Sequence, residues 1–378
     1  MPEGLFAQGE PIPWFVARSP TNPRFHVHTI AGRYVVLCFF RSASDPTSRQ
    51  VLKEVLRHRD RFDDENVSFF GISIDPSDEQ LGRVQEALPG FHLFWDFDYQ
   101  ISRLFNAMDS KPAETMTGVA YRRFSLVLDE RLRVFAVVPF GNDPGSHVVR
   151  LLECLSRLPA LEPTQPAATP APVLLVPRIF EPELCRTLIE YYDERGGHET
   201  GFMREIDGRT VAVHDYGHKR RRDQSIDDEE LRKACVVRIH DRLVPEIRKA
   251  FQFPATRIER YIVACYEAAT GGHFQPHRDN TTKGTAHRRF AVSINLNTGQ
   301  YEGGALRFPE FGRQTYTPPA GGAVVFSCSL LHEATPVTAG KRYAFLPFLH
   351  DEAAARVQQE NRRFVSEQSA PMPDSNSS

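Results

Sequence analysis

Residues 260–280 read RYIVACYEAATGGHFQPHRDN. A short β-branched and aromatic run, a Gly-Gly break and a second extended run follow one another there. That spacing predicts two strands joined by a tight turn. The stretches that follow have the same form: FAVSINLN (290–297), GALRFPE (304–310), GGAVVFS (321–327) and YAFLPFL (343–349). Short strands punctuated by Gly and Pro predict an all-β core, most simply a sandwich or jelly roll. Upstream, residues 181–195 and 228–252 carry helical periodicity and predict supporting helices.

Further towards the N-terminus the pattern alternates. YVVLCFF (34–40) reads as a buried strand, and Asp45-Pro46 as an N-cap with Pro at the first helical position, opening a helix to about Phe62. VSFFGISID (67–75), FHLFWDF (91–97), FSLVLD (124–129) and RVFAVVPF (133–140) read as further strands, with helices over 77–88 and 146–157. Strand–helix–strand alternation implies an α/β sheet. Between the halves, PALEPTQPAATPAPVLLVP (159–177) carries proline at 159, 163, 166, 170 and 172 and reads as a semi-rigid linker. The expected organisation is an α/β domain over 1–158, a linker over 159–172, a β-rich domain over 173–352, and a helix with a disordered tail over 353–378.

The 378 residues exceed one ordinary domain. Lys and Arg total 46 against 48 Asp and Glu, a net charge of -2, so nothing demands a nucleic-acid partner. No apolar run has the length of a membrane span, and MPEGLFAQGEPIPWF lacks a secretion signal. Cysteines 38, 154, 185, 235, 265 and 328 are scattered without a C-x-x-C, which fits reduced thiols in a cytoplasm.

The chemistry concentrates on His277-Arg278-Asp279. With 14 histidines, chance supplies roughly one H-x-D, and the chain has a decoy in His58-Arg59-Asp60. The decoy falls in an expected helix, where i and i+2 point about 200° apart. His277 and Asp279 fall on or at the end of an expected strand, where i and i+2 share a face. His332, after GGAVVFS, is the third candidate ligand. Two imidazoles and a carboxylate form the facial triad of non-haem Fe(II) oxygenases. Arg342, ten residues after His332, places a cation in the same barrel for a remote carboxylate. His273 reads as structural or surface, His26 and His28 as surface histidines, and the run His218–Asp223 as a solvated loop or an electropositive rim.

On these residues the segment 260–348 resembles the Fe(II)/2-oxoglutarate dioxygenases, nearest to the prolyl-4-hydroxylase-like branch. The matching pieces are Tyr266, GGHFQPHRDN, YEGGALRFPE, PAGGAVVFS and HEATPVTAGKR, and with the upstream helices the likeness covers 173–350. The resemblance implies a double-stranded β-helix. It also implies iron on His277, Asp279 and His332, the distal carboxylate of 2-oxoglutarate on Arg342, and a cosubstrate contact from Tyr266. Its reaction consumes O2 and 2-oxoglutarate, releases succinate and CO2, and hydroxylates a C–H of a prolyl residue or a small metabolite. Ascorbate is a candidate accessory reductant. Where many relatives carry Arg-x-Ser, Arg342 is followed by Tyr343 and Ala344, which removes one hydroxyl contact.

Residues 1–158 resemble the peroxiredoxin branch of the thioredoxin-like fold through GEPIPWF, GRYVVLCFF, VSFFGISID and RRFSLVLDERLRV, with Arg123, Ser125 and Asp129 in the last. The peroxidatic cysteine belongs at the start of the helix after the first strand pair. Here SASDPTSRQ (42–50) stands there, with Ser48 near the expected position. A hydroxyl does not replace a low-pKa thiolate, so this domain is expected to be catalytically silent and to serve substrate, partner or homodimer contacts. Two other readings stay open: a thiol-redox protein, and a non-catalytic binding or sensor protein on a β-barrel. Substrate identity lies in loops such as 196–224 and 280–289.

Overall fold

The structure is a computed structural model that describes residues 6–108, 120–141, 143–161 and 170–365. Contacts divide the chain into two compact units, Met1–Gln165 and Pro166–Ser378. Most of the expected linker and the expected tail lie outside the described residues.

In the first unit, β1 (Tyr34–Arg41), β2 (Val67–Ser73), β3 (Phe91–Trp95), β4 (Phe124–Leu128) and β5 (Val134–Pro139) form one sheet in the order β3-β2-β1-β4-β5. β1–β2 and β2–β3 are parallel, while β4 and β5 are antiparallel additions. The unbroken apolar run of β1 follows from its central place. Val35, Leu37 and Phe39 enter one core, and Val36, Cys38 and Phe40 enter the other. Helices α1 (Pro46–Arg57) and α4 (Pro144–Ser156) cover the second of these through Val51, Leu52, Val55, Leu151 and Leu155.

Asp45 caps α1, accepting from the Ser48 N–H at 2.8 Å, with Pro46 at the first position. Two helix expectations require correction. α1 ends at Arg57, so His58 closes it and Asp60 sits in a separate 3-10 turn. The helix expected over 77–88 is α2 (Pro76–Gln80) alone, because Gly82 turns the chain at φ +59, and the short α3 (Gln100–Leu104) follows β3.

Ser48, at the start of α1, is fully buried, and its hydroxyl donates to the Phe40 carbonyl at 2.5 Å. All six cysteines are free, and burial pushes the Cys38 thiol up to about 12. Arg123 pairs with Asp45 at 2.7 Å, and the Ser125 hydroxyl lies 3.2 Å from His147 Nε2. His26 and His28 are both exposed; His26 ends the short strand Phe25–His26 and His28 sits in the 3-10 turn that follows.

The second unit is built on two antiparallel sheets. The larger includes β10 (Arg222–Ser225), β12 (Ile262–Glu267), β14 (Phe290–Asn295), β16 (Ala323–Ser327), β18 (Val337–Phe345) and β19 (Phe348–His350). The smaller includes β9 (Lys219–Arg220), β13 (His273–His277), β15 (Leu306–Arg307) and β17 (His332–Ala334). A separate hairpin joins β7 (Phe202–Ile206) to β8 (Arg209–Val213), and β6 (Leu174–Val176) and β11 (Arg257–Glu259) flank the larger sheet.

Alternation gives the larger sheet two chemically different faces. Val263, Cys265, Val292, Ile294, Tyr343 and Phe345 pack outward against α5 (Pro182–Arg195) and α7 (Val244–Phe251), with a π-helical turn at Ile239–Leu243 linking α6 (Glu229–Arg238) to α7. Tyr266, Ser293, Asn295 and Arg342 take the other face. This two-sheet architecture with helices on one side is the jelly-roll arrangement the strand pattern implies, and α8 (Glu352–Asn361) follows it. Among the described residues no helix is long and apolar enough to cross a membrane.

Candidate metal centre and its pocket

His277 ends β13 and His332 opens β17, and the two are direct cross-strand partners. Their ring centroids lie 4.3 Å apart. Asp279 follows two residues on, with its N–H bonded to the Cys328 carbonyl at 3.0 Å beyond the end of β16. That bond returns the Asp279 carboxylate towards the rings: Oδ1 is 3.6 Å from His277 Nε2, and Oδ2 is 3.3 Å from His332 Nε2. One ligand atom from each residue falls within 4.8 Å of the others.

The tautomers suit ligation. His277 Nδ1 lies 2.7 Å from the Gln275 carbonyl and His332 Nδ1 lies 3.0 Å from the Leu330 carbonyl. A carbonyl only accepts, so each Nδ1 carries the proton and each Nε2 keeps its lone pair. Burial pushes His277 down to about 3, and the neighbouring His332 adds to this. Burial would raise Asp279, but the two imidazoles beside it hold its carboxyl below the usual range. Two imidazole Nε2 atoms and a carboxylate on one face fit a divalent transition metal with open positions left over.

The centre lies in a cavity of about 140 Å³ between the sheets. Arg342 lines it, almost wholly buried. Nη2 donates to Ser293 Oγ and Asn295 Oδ1, both at 2.9 Å, and Nε is buried without a partner among the described residues. Among the described residues no carboxylate pairs with this guanidinium. A buried cation without an acid is costly unless a ligand supplies one.

Tyr266 is the cross-strand partner of Arg342 and is buried. Its hydroxyl accepts from Arg221 Nη1 at 3.3 Å. The five residues singled out from sequence therefore line one pocket. His273 does not join the ligand group; its ring nitrogens contact the Gly271 and Gly217 carbonyls.

The basic run divides by strand alternation. Arg220 and Arg222 turn away, to the Thr270 carbonyl at 2.9 Å and the Gly197 carbonyl at 2.9 Å. Lys219 and Arg221 turn into the pocket and are buried. Arg221 forms a two-pronged ion pair with Asp223, at 2.7 Å for Nε–Oδ1 and 2.7 Å for Nη2–Oδ2. Arg260 and Arg288 also line the pocket, and neither stands out in the sequence. Arg288 pairs with Glu259 at 2.7 Å.

Comparison with known proteins sets these residues among relatives. Residues 261–350 match the family model described as the 2OG-Fe(II) oxygenase superfamily. Residues 8–135 match that of the AhpC/TSA family. A PKHD-type hydroxylase of Pseudomonas fluorescens is 40% identical over 91 residues, 22% of this chain and 39% of that protein. The chain spans less than half the length of the curated relatives it matches.

A solved Pseudomonas putida prolyl-4-hydroxylase is 19% identical with a TM-score of 0.37, over 48% of this chain and 92% of that one. Peroxidoxin BcpB from Mycobacterium tuberculosis is 20% identical with a TM-score of 0.34, over 40% of this chain and 98% of that one. His277, Asp279, His332 and Arg342 all lie within the segment that matches the 2OG-Fe(II) oxygenase superfamily, and a segment matching the AhpC/TSA family precedes it.

Proposed function

We propose that the second unit is an Fe(II)- and 2-oxoglutarate-dependent oxygenase that hydroxylates an unactivated C–H of its substrate. The observation that carries this reading is the convergence of two free Nε2 atoms and one carboxylate beside Arg342, a buried cation with no acid of its own. His277, Asp279 and His332 would hold the metal on one face. Arg342, steadied by Ser293 and Asn295, would take the distal carboxylate of 2-oxoglutarate, and Tyr266 would flank it. Fe(II) held there supplies O2-driven oxidation: 2-oxoglutarate becomes succinate and CO2, one oxygen atom enters the succinate, and the other becomes the hydroxyl of the product. The protein contributes position, a fixed positive field and a cavity that keeps the reacting atoms from bulk water.

The first unit acts as a binding or scaffolding module without peroxidase chemistry. A buried Ser48 occupies the helix start, and Cys38 is sealed in the sheet. The second unit is tested by succinate formation from 2-oxoglutarate in air, with Fe(II), with and without ascorbate, and with an extract of small metabolites or prolyl peptides added. The expected result is Fe(II)-dependent succinate that disappears in His277→Ala and Asp279→Ala. Metal and 2-oxoglutarate bound without any succinate would instead mark a non-catalytic sensor.

A further inference from the structure

The pocket carries more positive charge than a metal and its cosubstrate would use. The argument rests on the oxygenase reading above. A divalent ion, the Asp279 carboxylate, the Arg342 guanidinium and a doubly ionised 2-oxoglutarate cancel one another. Arg221 and Arg288 are cancelled by Asp223 and Glu259. Lys219 and Arg260 line the same cavity, and among the described residues neither has an ion-pair partner.

Both are held in place by neutral groups. Lys219 is 6% exposed, and Nζ donates to Thr200 Oγ1 and the Gly201 carbonyl, each at 2.8 Å. An ammonium has three protons, so one donor remains. Burial and the nearby Arg221 guanidinium hold Lys219 well below its usual range, and a bound anion would relieve that cost. Arg260 spends Nε on the Leu346 carbonyl at 3.2 Å and lies over the Phe348 ring at 4.5 Å. Its two Nη groups have no hydrogen bond among the described residues, so the fork stays open for a ligand. Arg260 also holds φ at +72, a left-handed conformation that a long side chain adopts at a cost.

We propose that Lys219 and Arg260 form a second anion-binding station, distinct from Arg342, that receives a carboxylate or phosphate-type oxyanion of the primary substrate. The substrate is then an acid, held by its charge while a C–H is presented to the metal. A neutral peptide would leave both cations unpaired, the buried Lys219 and the half-buried Arg260.

The test uses the full chain loaded with Mn(II) and saturating 2-oxoglutarate, so that Arg342 is already engaged. Sulfate and N-acetyl-L-glutamate are titrated calorimetrically, with ionic strength held constant by chloride. At least one anion is expected to bind wild type, with affinity falling about tenfold or more in Arg260→Gln and, separately, in Lys219→Gln. Sulfate binding alone points to a phosphate-like group, and N-acetyl-L-glutamate alone to a carboxylate.

Both variants are expected to keep the wild-type affinity for 2-oxoglutarate, which also shows that they fold. Failure of both anions to bind wild type, or wild-type affinity in both variants, overturns the proposal while leaving the oxygenase reading intact. Failure of wild type to bind 2-oxoglutarate removes that reading and this substrate station with it.

Discussion

Tyr266 and Arg342 stand opposite each other on adjacent antiparallel strands, with the guanidinium carbon 5.2 Å from the ring centroid. On its other side the ring meets Arg221, at 5.7 Å. The tyrosine thus separates two cations, one paired with Asp223 and one without a carboxylate partner among the described residues. Tyr266→Phe keeps the ring and loses the hydroxyl. A net hydrogen bond of about 1 kcal/mol converts to roughly a fivefold change in affinity. The expected outcome in steady-state kinetics is a KM for 2-oxoglutarate raised about fivefold, with Fe(II) affinity unchanged. An unchanged KM would make Tyr266 a packing residue.

Gly304 lies at φ +63, and a Cβ built there would stand 2.8 Å from Val337 Cγ2 and 3.0 Å from Arg342 Cδ. The glycine therefore makes room for the arginine stem as well as for the turn. Gly304→Ala should displace Arg342. Its signature is weaker 2-oxoglutarate binding, by about tenfold or more in calorimetry, with metal binding retained. Parallel loss of metal would show that the whole strand had moved.

His147 gives the first unit an acid-sensitive point. Its Nδ1 lies 3.1 Å from the Pro139 carbonyl, and its Nε2 accepts from the Ser125 hydroxyl. Burial pushes the imidazole down to about 4, from 6.5 when unfolded. The unfolded chain therefore takes up the proton first. Stability from this group is complete above pH 6.5 and is lost as pH falls towards 4, by up to about 3 kcal/mol. Denaturant midpoints of wild type and His147→Gln should converge across that window. A constant difference between them would contradict the assignment.

Thiol chemistry should be absent from the first unit. Cys38 is fully buried with its thiol pushed up to about 12, and Cys154 is half-buried, with burial raising its thiol as well. Hydrogen peroxide consumption by the native chain is expected to match that of Cys38→Ala within error. Rapid consumption lost in Cys38→Ala would restore the thiol-redox reading.

Much of the site was legible because a strand's alternation is simple. His277 and Asp279 stand out from the His58 decoy by strand context alone, and Arg342 by its distance from His332. The register that opposes His277 to His332 depends on pairing between distant segments, which no local pattern encodes. The run 218–223 reads as a solvated loop because its charges are contiguous. The fold instead places it on two strands, β9 and β10, and sends Lys219 and Arg221 inward. Alternation within the run was the available signal. Arg260 had none, since it precedes its strand and gains its meaning from Phe348 and the cavity. The periodicity over 77–88 runs past Gly82, where the backbone turns and the helix has already ended at Gln80.

The central claim is that one pocket binds metal and 2-oxoglutarate together. Its most direct test is anaerobic titration of 2-oxoglutarate into the Fe(II)-loaded protein, followed by the visible charge-transfer band of a chelated keto acid. The account predicts a saturable band in wild type that is lost in Asp279→Ala and needs far more 2-oxoglutarate in Arg342→Ala. Folded, iron-loaded wild type that shows no band at saturating 2-oxoglutarate would contradict it.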